Sequence, residues 1–201
     1  MLVLQAERIE QKESGSMDLY IVVSQTGTYF SRLLRAVNRE PYNHVSIGLE
    51  PELKRLYSFG RQCLFFPLAA GFVREEPGHG VYCQYSDTRC VVYRLSVKRR
   101  AYEQAQRLIR QFEQNEWRYR YNFAGLLAML VNIPIERDRH FVCSQFVAYV
   151  LEQSGAYSFD RDFSLVRPRD FMRLKGARLI YEGRLNDYAY PVQARLLPYA
   201  L

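Results

Sequence analysis

Residues 141–154 read FVCSQFVAYVLEQS, a stretch that predicts a helix stopping at Gly155. Cys143 falls in the first turn and shares its helix face with four apolar side chains, Phe146, Val147, Val150 and Leu151. A helix N-terminus carries partial positive charge and free N–H groups, which favour a thiolate and can stabilise an oxyanion. The stretch therefore predicts a nucleophile, although a lone cysteine on an apolar helix face is commonly a small core residue.

A second stretch, residues 44–49, reads HVSIGL and alternates as a strand does. His44 shares one face with Ser46 and Gly48, whose small side chains allow a bulky element to approach closely. A helix bearing Cys143 would fit there, and His44 is therefore the candidate general base. An alternative is that His44 is a structural histidine.

Two other histidines are present. His140 is the rival base by proximity, although a position three residues before Cys143 at a helix entrance makes a good hydrogen bond difficult. His79 lies in a loop rich in glycine and proline.

A third side chain should orient an imidazole base. Ser58 is the candidate, because residues 55–59 read as a strand that pairs with residues 44–49 through a turn at 50–54. A serine is a weak orienting group, and an ordinary strand serine is the competing interpretation.

The remaining pattern predicts an α+β fold without internal repeats. Strands are expected at 19–24, 89–97 and 178–182, helices at 29–38, 99–114 and 122–131, and a short helical turn at 168–174. Residues 62–84 read as a long irregular loop, of the kind that often builds binding sites.

Taken together, NHVSIGL, LYSFGR, the pair Tyr121-Asn122 and the CSQFV stretch that begins at Cys143 resemble the circularly permuted NlpC/P60 hydrolases. The resemblance covers about residues 19–155, and the CSQFV stretch is its most specific part. It implies a papain-like fold in which an antiparallel sheet is packed by helices, including a central nucleophile helix. In the permuted order the histidine strand precedes the cysteine helix.

The resemblance also implies a cysteine peptidase or amidase chemistry. The Cys143 thiolate would attack an amide, ester or thioester, and His44 would accept the thiol proton and later activate water. Tyr121 matches the tyrosine that lines the oxyanion site, and Ser144 follows the nucleophile in the same site. Ser58 is a departure, because relatives often carry a stronger polar partner there. No cofactor or metal is implied, and the substrates of relatives include peptidoglycan stem peptides, other amides and acyl lipids.

Composition fits a single domain of a globular protein, with 201 residues, 48% hydrophobic and 24% charged. The net charge of +7 suits acidic peptides or lipid head groups, although scattered arginines also make an ordinary basic surface. None of the four cysteines forms a CxxC pair, so no zinc site is expected.

The N-terminus suggests a cytoplasmic protein. Residues 1–16 are expected to be a polar leader and residues 17–201 the domain, with either Met1 or Met17 as the natural start. No signal-peptide core or transmembrane run is present in the sequence. Reduced thiols are therefore expected, although Cys83 and Cys90 could bridge in an oxidising compartment.

Two non-enzymatic functions compete with the hydrolase. One is a binding module on the same fold that holds an acidic peptide or lipid. The other is nucleic-acid binding, for which residues 117–121 (WRYRY) interleave aromatic and basic groups. An amphipathic connector with buried rings explains that run better, and no nucleic-acid motif accompanies it.

Overall fold

The computed structural model describes residues 15–25, 41–62, 69–77 and 87–188, and within them the protein has an α+β fold. The strands are β1 (Ser16–Gln25), β2 (His44–Gly48), β3 (Leu56–Arg61), β4 (Ala70–Glu75), β5 (Arg89–Lys98), β6 (Arg120–Tyr121), β7 (His140–Phe141) and β8 (Ala177–Arg184). The α-helices are α1 (Arg99–Gln114), α2 (Phe123–Leu130) and α3 (Cys143–Gln153). A 3₁₀ segment spans Pro168–Arg173.

Six of these strands form one sheet in the order β4-β3-β2-β1-β5-β8, and every neighbouring pair is antiparallel. The remaining two, β6 and β7, form a short parallel ladder immediately before α3. The chain therefore reaches the helix of Cys143 from a fixed backbone pairing, in which Tyr121 is opposite Phe141.

The sheet is apolar on both faces. Alternate residues of β1 divide between two buried clusters, with Ile21 in the larger cluster and Val22 in the smaller. Helices α1 and α3 pack in the larger cluster; α1 contributes its buried stripe Ala101, Ala105, Ile109 and Phe112. This packing fixes α3 against β2, which begins at His44, and against β3, the next strand in the chain.

Aromatic rings fill the space between α3 and the sheet. The Phe59 ring of β3 packs with its centroid 5.4 Å from those of both Phe141 and Phe146. Phe112 of α1 lies 5.0 Å from Phe146 on the other side. Such ring pairs stabilise a fold beyond the area they bury, so the start of α3 is held from two directions.

Most predicted elements are confirmed, since the strands at 19–24, 44–49, 55–59, 89–97 and 178–182 and the helices at 99–114, 122–131 and 141–154 are all present. The prediction of an irregular loop over 62–84 is wrong for β4. Its sequence, AGFVRE, contains a glycine and two charges, and it becomes a strand by pairing with β3. The predicted helix at 29–38 lies outside the described residues.

The N-terminal boundary differs slightly from the expected one. Strand β1 already begins at Ser16, within the stretch expected to be a leader, and residues 1–14 lie outside the described part of the chain. Among the helices of the described ranges, none is long and apolar enough to cross a membrane.

Candidate functional site

Cys143 is the first residue of α3, and its side chain is buried at 7% exposure. The residue before it, Val142, is the extended N-cap of the helix. First-turn N–H groups of a helix have no partner within the helix, so the backbone around Cys143 offers donors beside the sulfur. The predicted position of Cys143 in the first turn of a helix is confirmed.

A buried amide pair fixes this helix start. Gln145 accepts a hydrogen bond from the Val142 backbone N–H at 3.0 Å and another from the Asn122 side chain at 3.2 Å. Its own amide donates to the Ser164 carbonyl at 3.1 Å. The Asn122 oxygen accepts from the Gly125 N–H at 2.9 Å and so caps α2. The pair therefore ties the starts of α2 and α3 together.

His44 is the first residue of β2 and is held by a carboxylate. Its Nε2 donates to Oε1 of Glu75 at 2.8 Å. The other oxygen of Glu75, Oε2, accepts a hydrogen bond from the Ser46 hydroxyl at 2.5 Å. The same hydroxyl lies 3.3 Å from Nε2 of His44. With Nε2 committed to Glu75, the ring nitrogen left for a nucleophile is Nδ1.

The surroundings of His44 change its proton affinity. Burial is the largest influence and lowers the pKa of the imidazole, but the negative charge of Glu75 and a side-chain hydrogen bond with Cys143 act in the opposite direction. The net result is a pKa well above the ordinary value of 6.5. The imidazolium form of His44 is therefore stabilised, and Cys143 is one of the side chains that stabilise it.

Tyr121 also interacts electrostatically with Cys143. Burial raises the pKa of its phenol well above 10.0, and the charge of a Cys143 thiolate raises it further. The phenol therefore stays protonated and is available as a donor. Ser144, the next residue of α3, is buried at 1% exposure, and its backbone N–H is one of the first-turn donors of the helix.

Ser58 does not orient His44. Its hydroxyl donates to the Val45 carbonyl at 2.7 Å, and the imidazole partner is Glu75. The β3 residue beside the ring is Gly60, where an added Cβ would lie 3.8 Å from Cε1 of His44. Because Ile47 pairs with Tyr57, the residue of β3 opposite His44 is Gly60. The sequence-based prediction had placed Ser58, two residues earlier, opposite His44.

Glu75 is the site residue that sequence reasoning missed. It lies on β4, inside the segment that reads as a loop, and no motif marks it. The available signal was the absence of a strong partner at Ser58, which required a carboxylate or amide from elsewhere in the chain.

His140 has a different hydrogen-bond partner from His44. Nδ1 of His140 donates to the Asp138 carbonyl at 2.7 Å. His140 lines a cavity of about 510 Å³. The aromatic residues Tyr119 and Tyr149 and the amide of Gln145 also line this cavity. His79 lies outside the described residues.

The second cysteine of the described ranges contrasts with Cys143. Cys90 is a free, fully buried thiol in the smaller cluster, and burial raises its pKa to about 12. Cys83 lies outside the described residues. In the described part of the chain, no cluster of three or more His, Cys, Asp or Glu is arranged to hold a metal ion.

The run at residues 117–121 divides between solvent and core. Trp117 is 69% exposed, with the Arg118 guanidinium 5.3 Å from its ring centre. Tyr119 instead stacks on Phe112 at 4.3 Å.

Comparison of the chain with protein-family models, curated proteins and solved structures finds no match.

Proposed function

We propose that this chain is a thiol hydrolase with a circularly permuted, papain-like NlpC/P60 fold, and that Cys143, His44 and Glu75 are its catalytic triad. The observation that supports the proposal is the His44 imidazole, which is hydrogen-bonded to Glu75 and whose pKa is raised by Cys143, the first residue of α3. An activated thiol generally requires a base within hydrogen-bonding reach of the nucleophile and a third group that orients the base.

In the first step His44 takes the proton of Cys143, and the thiolate attacks the substrate carbonyl carbon. The C–S bond forms while the carbonyl π electrons move to oxygen, where the first-turn N–H groups and the Tyr121 hydroxyl act as donors. The tetrahedral intermediate then collapses, the leaving amine or alcohol receives the proton held by His44, and an acyl-thioester remains on Cys143.

In the second step His44 removes a proton from water, and the resulting hydroxide attacks the acyl-thioester. The C–S bond breaks, the acid product leaves, and the proton returns from His44 to the thiolate. Glu75 stabilises the imidazolium that exists after each proton transfer, and it fixes which ring nitrogen faces the sulfur.

The substrate class proposed is an amide, or an ester or thioester, in an acidic molecule such as a peptidoglycan-derived peptide. Support comes from the net charge of +7 and from the open cavity with an aromatic floor beside Gln145. Relatives suggested by the sequence resemblance act on such bonds.

The proposal is tested by iodoacetamide labelling of Cys143 across a range of pH, with peptide mass mapping. The wild type should react well below the ordinary thiol range, about pH 8.5, and His44→Ala should lose this reactivity. Cys90 serves as an internal control that stays unlabelled while the protein is folded. If labelling of Cys143 is the same without His44, the triad does not exist and the chain is a binding module.

A further inference from the structure

Ser46 joins the candidate site through the carboxylate of Glu75. It lies on β2, two residues after His44 and on the same face of the strand, and its side chain is fully buried. Its hydroxyl donates to Oε2 of Glu75 at 2.5 Å, while Oε1 of the same carboxylate accepts from Nε2 of His44 at 2.8 Å. The two oxygens of one carboxylate therefore hold a hydroxyl and an imidazole that belong to the same strand.

The second of these contacts fixes how the carboxylate is turned. Glu75 is the last residue of β4, and its side chain has three rotatable bonds, which lose their freedom when the carboxylate is held in one place. Hydrogen bonds to both oxygens define the plane of a carboxylate, whereas one bond alone allows rotation about it. Ser46 supplies its bond from a short side chain on a strand inside the sheet, which is a rigid position.

The Ser46 hydroxyl also has a competing partner. It lies 3.3 Å from Nε2 of His44, so it can donate either to the carboxylate or to the imidazole. A neutral imidazole carries its proton on one ring nitrogen only, and the hydrogen bonds around the ring decide which. If Ser46 donated to Nε2, the ring proton would be on Nδ1, and Nδ1 could not accept the proton of a thiol. Donation to Glu75 instead leaves Nε2 protonated and Nδ1 free as the acceptor.

We propose that Ser46 is a positioning residue that holds the Glu75 carboxylate in place and thereby keeps the His44 proton on Nε2. The inference rests on the proposed hydrolase function and adds to it the group that selects the reactive tautomer of the base. In this mechanism Ser46 acts only through Glu75 and His44.

Ser58 provides a matched control on the neighbouring strand. Both serines are fully buried strand residues, but the Ser58 hydroxyl donates to the Val45 carbonyl. Ser46→Ala and Ser58→Ala each remove one buried hydrogen bond, so both should lower the free energy of unfolding in urea. A serine with a structural role only would show that loss and no change in His44.

The decisive measurement is the tautomer of His44, read from the ¹⁵N chemical shifts of its ring nitrogens in protein labelled at histidine. In a Cys143→Ala background, above the pH at which His44 titrates, the parent and Ser46→Thr should show the proton on Nε2. Ser46→Ala should show a mixture with the Nδ1 form, and Ser58→Ala should match the parent. A Ser46→Ala spectrum equal to that of the parent overturns the proposal. If Ser46→Ala does not fold, Ser46→Cys, whose thiol is a weak donor, replaces it with the same two outcomes.

Iodoacetamide labelling of Cys143 connects the tautomer to reactivity. If about half to nine-tenths of the rings adopt the other tautomer, the competent population and the labelling rate should fall roughly two- to tenfold in Ser46→Ala. Ser46→Thr and Ser58→Ala should keep the parent rate, and an unchanged rate in Ser46→Ala contradicts the proposal. If Cys143 of the parent is not activated by His44, the hydrolase proposal fails, and the tautomer measurement still decides the role of Ser46.

Discussion

Nε2 of His44 lies 2.8 Å from Oε1 of Glu75, although the two residues stand on strands separated by β3. Gly60 of the intervening strand lies beside both groups. A Cβ at that position would lie 3.8 Å from the imidazole and 3.9 Å from the carboxylate, so a larger side chain would project between them. The pair therefore depends on three strands in register.

Glu75→Gln should slow iodoacetamide labelling of Cys143 and shift its pH profile. The charge of Glu75 raises the pKa of His44, so its removal lowers that pKa and weakens the imidazolium that stabilises a thiolate. The labelling rate should fall less in Glu75→Gln than in His44→Ala. For turnover of a substrate, loss of the general base in His44→Ala should cost about 10²- to 10⁴-fold. Glu76→Gln, the neighbouring acid, is the control, and an equal effect there would contradict the assignment.

The stability contributed by the His44–Glu75 pair should depend on pH. Because the pKa of His44 is raised on folding, the contribution is fully present below the unfolded value of 6.5 and is lost as pH rises through the folded pKa. The free energy of urea unfolding, measured for Glu75→Gln and its parent in a Cys143→Ala background, should differ most near pH 6. The difference should shrink at alkaline pH, and a difference that grows there would contradict the predicted sign.

Ser58→Ala should leave the labelling rate of Cys143 unchanged. The hydroxyl bonds to the Val45 carbonyl and does not touch the imidazole. Loss of this buried bond should lower the free energy of unfolding by about 1 kcal/mol. A large fall in labelling rate without loss of stability would restore Ser58 as the orienting residue.

Asn122 and Gln145 should behave as one unit. Replacement of either by Ala leaves buried donors and acceptors unpaired, and it should cost about 1–3 kcal/mol in urea unfolding. The double variant should cost less than the sum of the two, because each amide loses the same partner. Gln114→Ala, at the exposed end of α1, should change stability by less than about 0.5 kcal/mol. Additive losses would show that the two amides act independently.

Tyr121→Phe should separate acylation from thiol activation. Its hydroxyl is proposed as an oxyanion donor, and loss of one such donor costs roughly 10²- to 10³-fold in rate. The p-nitrophenolate burst from p-nitrophenyl acetate should slow accordingly, while iodoacetamide labelling, which forms no oxyanion, should persist. The control is Tyr149→Phe, which removes the hydroxyl of another tyrosine packed against the larger buried cluster. An equal slowing of both reactions would mean that Tyr121 acts on the thiol itself.

The sequence by itself determined most of the elements and the positions of two residues of the candidate site. Helical spacing placed Cys143 at the start of α3, and alternation placed His44 on a buried strand, because both periodicities are local properties of the chain. The turn at 50–54 was readable for the same reason, but the register of its two strands was not, and this moved the expected partner of His44 to Ser58.

Tertiary structure alone decided which carboxylate is hydrogen-bonded to His44. Strand β4 has a weak local pattern and exists through its pairing with β3, so its last residue, Glu75, could not be located from periodicity. The contact with His44 joins residues 31 positions apart across an intervening strand. Such a contact is fixed by sheet order and register, which depend on pairings distant in the sequence.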